Sequence, residues 1–192
     1  MALDHGVLLL CGLSMAVVFG MVVWKRMLFR RGERLVVAMG GSIEKMRDGG
    51  TCWLKIDLAN TIATDADLAF LAWFPGCSLL SLLGTRISDH SAECLRRLRR
   101  LEVLDLSSTG ISDSMLSALV TVRGLRVLRL ANTAVSDASM AALSQMKQLR
   151  LLDVMGTTMS KASIDGFVRD HPGISVFSDY GHAGLTGRGR WK

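Results

Sequence analysis

The stretch "LDLSSTGISD" at residues 104–113 returns twenty-four positions later as "LRLANTAVSD" at residues 128–137. Sliding the 192-residue chain against itself by that interval extends the match in both directions. Threonine recurs at Thr61, Thr85, Thr109, Thr133 and Thr157, and serine or threonine three positions on at Thr64, Ser88, Ser112, Ser136 and Ser160. Aspartate follows at Asp65, Asp89, Asp113 and Asp137. Three apolar columns keep the beat: Ile56, Leu80, Leu104, Leu128, Leu152; Leu58, Leu82, Leu106, Leu130, Val154; and Leu71, Leu95, Leu119, Leu143, Phe167. Five units hold this register without insertion or deletion, as stacked copies of one supersecondary unit must.

The physics of one unit predicts its shape. In Leu104-Asp105-Leu106 the alternation has period two, so the leucines face one side of a short strand and Asp105 the other. Ser112 and Asp113 then supply an N-cap and an acid at the positive end of a helix dipole. Met115, Leu116 and Leu119 form the helical stripe that closes over the strand. A single unit cannot bury both faces, so neighbours must complete the core. The threonine column falls where the chain leaves the strand, where a hydroxyl can bond backbone inside the bend.

The unit, approximately LxxLxLxxTxISDxxLxxLxxLxx, resembles the leucine-rich repeat family over about residues 53–176. It departs from the familiar pattern in having Thr where Asn or Cys is usual. It is similar in this to bacterial leucine-rich repeat proteins with LxxLxLxxTxVTDxGLxxL units, and to small mitochondrial leucine-rich proteins of respiratory-chain and ATP synthase assembly. The resemblance implies an α/β fold, a right-handed solenoid of about five repeats with a binding function, and no catalysis.

Residues 6–24, GVLLLCGLSMAVVFGMVVW, carry no charge and would cross about 28 Å of hydrocarbon as a helix. The expectation is one retained transmembrane helix, since MALDH has no basic n-region and no small-residue cleavage site follows. Lys25, Arg26, Arg30, Arg31 and Arg34 follow it, so the positive-inside rule places the repeats on the cytoplasmic side, or in the matrix of a mitochondrion, with the N-terminus outside. Gly12, Ala16 and Gly20 share one face of that helix and would admit a second membrane helix. Residues 25–39 read as a basic juxtamembrane helix able to meet lipid head groups. Much of the net charge of +6 lies there, which weakens any nucleic-acid reading. Residues 40–52 read as a capping hairpin with its turn at Asp48-Gly49-Gly50, residues 53–177 as the repeats, and residues 178–192 as a Gly-rich basic tail whose stretch 181–192 is expected to lack order unless a partner holds it. Ile174, Val176 and Phe177 offer the last strand.

Two surfaces are candidates for binding. Leu79, Val103, Val127 and Leu151 form an apolar ridge on the expected concave face, beside a mixed column that includes Asp105, Arg129 and Asp153. The ridge suits a protein partner, although aliphatic residues also simply favour strands. Arg99, Arg123 and Lys147, with Arg126 and Arg150 nearby, form a basic edge suited to anionic lipid or an acidic subunit, or to plain solvation. The four cysteines show no CxxC spacing, the four histidines are scattered, and no phosphate-binding loop precedes a helix. No metal, cofactor or catalytic group is therefore expected. The reading is a single-pass membrane protein that binds another protein as an accessory or assembly subunit of a membrane complex. The alternative is a free-standing anchored scaffold or receptor for a soluble partner.

Overall fold

The computed structural model describes residues 23, 24, 26–48 and 51–184. Its centre is one eight-stranded sheet whose spatial order follows the chain: β1 (Ser42–Asp48), β2 (Thr51–Asp57), β3 (Cys77–Ser81), β4 (Val103–Asp105), β5 (Val127–Arg129), β6 (Leu151–Asp153), β7 (Ser175–Ser178) and β8 (Gly181–Gly184). Strands β2 to β7 pair in parallel, while β1 and β8 close the ends antiparallel. The twenty-four-residue interval becomes the sheet register itself. Ile56 pairs with Leu80, Leu80 with Leu104, Leu104 with Leu128 and Leu128 with Leu152, so the first apolar column is a row across the sheet.

That row and the second column are buried throughout, Leu58, Leu82, Leu104, Leu106, Leu128 and Leu130 included. Each such side chain contributes about 1.5–3 kcal/mol of burial free energy. The opposing wall is a series of helical turns: a 3-10 helix at Asp65–Trp73, α2 (Ala92–Leu95), α3 (Asp113–Leu119), α4 (Met140–Leu143) and α5 (Lys161–Asp170). Leu71, Leu95, Leu119, Leu143 and Phe167 bring the third column into the same core. The result is an α/β fold resembling leucine-rich repeat proteins.

Polar columns tie each coil internally and to the next. The threonine hydroxyls act within their own units: Oγ1 of Thr61, Thr85, Thr109, Thr133 and Thr157 each donates to the carbonyl three residues back, at 2.5–2.8 Å. The aspartates do more than complement a helix dipole. Asp65, Asp89 and Asp113 each accept from both the backbone N–H and the Oγ of the serine that caps the next unit's helical turn, Ser88, Ser112 and Ser136, at 2.6–2.9 Å. Asp137 accepts the Ser160 N–H at 2.8 Å, while the Ser160 hydroxyl donates to Ser163. A carboxylate ladder thus runs along the stack. A further column, Asn60, Gly84, Ser108, Asn132 and Gly156, holds left-handed backbone at φ of 54–66°, a conformation that Gly and Asn adopt at little cost.

Each end of the stack is covered. Helix α1, residues 26–38, lies over the first unit: Val36 is fully buried and Phe29 meets Phe74 edge-on at 4.8 Å. Strands β1 and β2 pair antiparallel at the same end. At the far end the expectation of disorder over residues 181–192 is corrected for its first four residues, because Gly181–Gly184 return as β8 beside β7; residues 185–192 lie outside the described residues. An open parallel edge exposes a row of unpaired N–H and C=O groups, and main-chain pairing satisfies them whatever the side chains. Asp179 adds a second closure. The turn N–H groups of Asn60, Gly84, Ser108 and Asn132 each donate to a carbonyl of the next unit, and Gly156 N–H, which has no next unit, donates to the Asp179 carboxylate at 2.9 Å.

Candidate interaction surfaces

The sheet face that alternates with the buried leucines is free of covering elements among the described residues. Strand register sets Lys55, Leu79, Val103, Val127, Leu151 and Ser175 side by side, so the predicted ridge is a continuous row. All six are half-buried: their flanks pack against neighbouring strands and their tips reach solvent. The row begins at Lys55, which is paired with Glu44 at 3.6 Å and Asp57 at 3.5 Å, and is aliphatic for the four strands that follow.

The adjacent row, Asp57, Ser81, Asp105, Arg129, Asp153 and Phe177, is less available than its charges suggest. Asp57, Asp105 and Asp153 each accept the N–H two residues on, at 3.0–3.2 Å, in local turns that steer the chain out of its strand. Asp105 also faces Arg129 Nη1 at 3.5 Å, with only 13% of its side chain exposed. Arg129 itself extends into solvent. Of the three charged residues expected to meet a partner, Asp105 and Asp153 therefore serve the turns first.

The far end of this face carries apolar side chains as well. Phe177 is 37% exposed and Met155 is 47% exposed, and the Phe177 ring lies 4.5 Å from that of His182 across the β7–β8 hairpin. At the near end Trp53, paired with Met46, is 40% exposed. The pairing that brings Trp53 to Met46 and Phe177 to His182 belongs to the closing hairpins, outside the twenty-four-residue repeat. That is why the columns did not reveal it.

The basic residues lie at the edge where the strands begin. Arg99, Arg123 and Lys147 stand in the loops that enter β4, β5 and β6, exposed and without an acidic partner among the described residues. Arg126 lies 3.6 Å from Glu102, and Arg150 is exposed beside it in the next unit. Arg99, Arg100, Arg123 and Arg126 line a surface groove of about 540 Å³ with Trp53 and Glu102. Arg96 and Arg97 take no part, because both are bound to Glu93 on the helical side. Gly12, Ala16 and Gly20, and the apolar segment 6–24 expected to cross a membrane, apart from its last two residues, lie outside the described residues. No described helix is long and apolar enough to cross a membrane. No metal-binding cluster occurs among the described residues, and no buried side-chain polar atom there lacks a partner.

No family model matches the chain, and no curated protein matches it. Similar solved structures include an internalin C2 from Listeria monocytogenes, 23% identical over 56% of this chain and 43% of that one, with a TM-score of 0.46. A second internalin (inlF) from the same organism is 16% identical over 57% and 36% of the two chains, with a TM-score of 0.41. The leucine-rich repeat ectodomain of the receptor kinase SOBIR1 from Arabidopsis thaliana is 15% identical over 72% and 78%, with a TM-score of 0.45. The chain thus spans less than half the length of either internalin structure. At these values the fold rests on the chain's own register, in which the three core columns that begin at Ile56, Leu58 and Leu71 are buried throughout.

Proposed function

We propose that this chain is a protein-interaction module: a right-handed leucine-rich solenoid that holds a protein partner on its open sheet face. Residues 6–24 anchor it in a membrane, the repeats lie on the cytoplasmic or matrix side, and it acts as an accessory or assembly subunit of a larger membrane complex rather than as an enzyme. The observation that carries the binding reading is the aliphatic row Leu79, Val103, Val127 and Leu151, continuous across four strands and covered by no described element. An uninterrupted apolar row bounded by charge is the composition of an interface core with a polar rim. Charge asymmetry around the apolar segment supports the anchor and its orientation.

The test is extraction from the native membrane in mild detergent. The chain should migrate within a larger assembly, and Val103→Lys combined with Val127→Lys should release it as a monomer of unchanged circular dichroism. A wild-type monomer under conditions that keep neighbouring complexes intact refutes the accessory-subunit role. The exposed Met155 and Phe177 beside the aliphatic row favour a second reading, a scaffold that recruits a soluble partner. In that case the double variant loses a soluble protein and leaves membrane complexes as they were.

A further inference from the structure

Helix α1 does not start at an arbitrary place on the molecule. Phe29, in its first described turn, meets Phe74 at 4.8 Å, and Arg31 lies over the Trp73 ring at 5.8 Å. Trp73 and Phe74 end the helical turn that leads into β3, at the edge of the sheet where strands begin. The helix then crosses the first unit and leaves it at the opposite edge, where Gly41 packs against the Asp57 carbonyl and Leu58 just after β2. The apolar segment 6–24 therefore leads toward α1 at the strand-entry edge.

The same edge carries the basic row. Arg99 occupies the register position of Pro75, next to Phe74, one unit along, and Arg123 and Lys147 follow at successive strand spacings of about 5 Å. In the three loops 96–102, 120–126 and 144–150, Arg99, Arg100, Arg123, Arg126, Lys147 and Arg150 face the solvent at the strand-entry edge, and Glu102 is the single acid. At the opposite edge acids predominate, for the chain leaving β2, β3, β4 and β5 leads to Asp65, Asp89, Asp113 and Asp137, against Arg86 and, after β6, Lys161. Charge is thus polarised along the strand direction, with the cations on the side from which α1 departs. Unpaired cations within a Debye length of an anionic surface are attracted to it, while acids on the far side are not repelled at that distance.

We propose that the strand-entry edge is a lipid-facing surface, on which these cations take the phosphates of anionic lipid head groups in the leaflet next to the anchor. The strands then stand on end above the bilayer and the open face looks sideways, accessible to a partner in the same membrane. This rests on the reading of residues 6–24 as an anchor, and the experiment separates the two.

The full chain is reconstituted into lipid nanodiscs of phosphatidylcholine alone, or with about one-third phosphatidylglycerol, and its arginines are modified with phenylglyoxal and mapped by mass spectrometry. Failure to enter either disc refutes the anchor. Given entry, Arg99, Arg123 and Arg126 should react at least about threefold more slowly in the anionic discs, and high salt should abolish the difference. Arg86 and Arg129, which stand on other faces, should react alike in both, and Arg99→Glu with Arg123→Glu should remove the protection of Arg126. Equal rates at the edge in the two discs, or protection of Arg129 in its place, overturns the proposal. So does protection of the edge in lipid-free detergent by a co-purified acidic protein, which would assign the row to that protein.

Discussion

The carboxylate ladder makes a graded prediction. Asp89 accepts three hydrogen bonds: from Ser112 N–H at 2.9 Å, from Ser112 Oγ at 2.6 Å and from Ser114 Oγ at 2.5 Å. Bonds to a charged acceptor are worth about 1.5–3 kcal/mol each, but the two hydroxyls can turn to water when the carboxylate is removed. The Ser112 N–H is partly buried and cannot turn. Asp89→Ala should therefore cost about 2–3 kcal/mol, after discounting the exposed hydroxyl contacts for solvent screening. Asp89→Asn keeps one carbonyl acceptor for that N–H and should cost roughly 1 kcal/mol. Asp137, exposed and bonded to Ser160 N–H while the Ser160 hydroxyl donates to Ser163, should lose distinctly less on the same change to Ala. Urea unfolding of the full chain in mild detergent, followed by circular dichroism, measures all three. Burial pushes the Asp89 carboxyl up, but the bonds from Ser112 and Ser114 outweigh it and hold the group below its ordinary range. In the unfolded chain the carboxyl titrates near pH 3.9. The ladder's contribution is thus complete above that value and is lost as pH falls further, through the lower folded value. The gap between wild type and Asp89→Asn should narrow in that acid window. A gap that stays constant with pH, or an Asp137→Ala loss equal to that of Asp89→Ala, would refute the ladder as a source of stability.

Three further outcomes follow from the same packing. Leu128→Asp places a charge at a fully buried position in the middle of the stack and should cost several kcal/mol, so that limited proteolysis opens the later units; unchanged resistance would contradict the register. Thr109→Val removes the 2.5 Å bond from Oγ1 to the Leu106 carbonyl and leaves that buried oxygen without the bond, a loss of about 1–2 kcal/mol that the equivalent change at the half-buried Thr157 should not equal in the same urea assay. Burial pushes the Cys77 thiol up to about 12, so iodoacetamide at mildly alkaline pH should alkylate the half-buried Cys94 in the native chain and reach Cys77 only on unfolding.

How much of this was legible in the sequence depends on what each feature requires. The apolar columns were fully legible, because a residue buried in every coil must recur in every coil: Leu80, Leu104 and Leu128 could not be read any other way. The threonine and aspartate columns were visible, but their partners were not. Asp89 bonding Ser112 is a relation between two columns twenty-three residues apart, and the reading that an acid complements its own helix start is satisfied locally by the same letters. The direction of the carboxylate is fixed by the isolated parallel bridges, such as Ser88 to Gly110 and Ser112 to Ala134, which bring each cap against the turn of the next coil. Strand β8 was illegible for a different reason. Main-chain pairing needs no side-chain pattern, so Gly181-His182-Ala183-Gly184 can close a sheet while carrying the composition of a tail.

The turn column shows how the repeat tolerates a local misfit. At φ of 54°, Ser108 holds the left-handed conformation that Asn60 and Asn132 hold on either side of it, with none of the amide's compatibility for that region. The asparagines have a second role: a Cβ at Gly84 would collide with the Asn60 side chain, and one at Gly156 with that of Asn132, so each Asn is matched to a glycine in the next coil. Ser108 lies between those pairs, followed by Asn132 rather than glycine. Ser108→Asn would ease the backbone and also press an amide toward Asn132, where no glycine makes room. Ser108→Gly eases it without adding bulk, though glycine's greater freedom in the unfolded chain offsets part of the gain, leaving about 0.5 kcal/mol. If the pairing of Asn with Gly across coils is what sets this column, urea midpoints should rank Ser108→Gly above wild type and Ser108→Asn no higher than it. The reverse order would mean that the left-handed preference acts alone, residue by residue, without reference to the neighbouring coil.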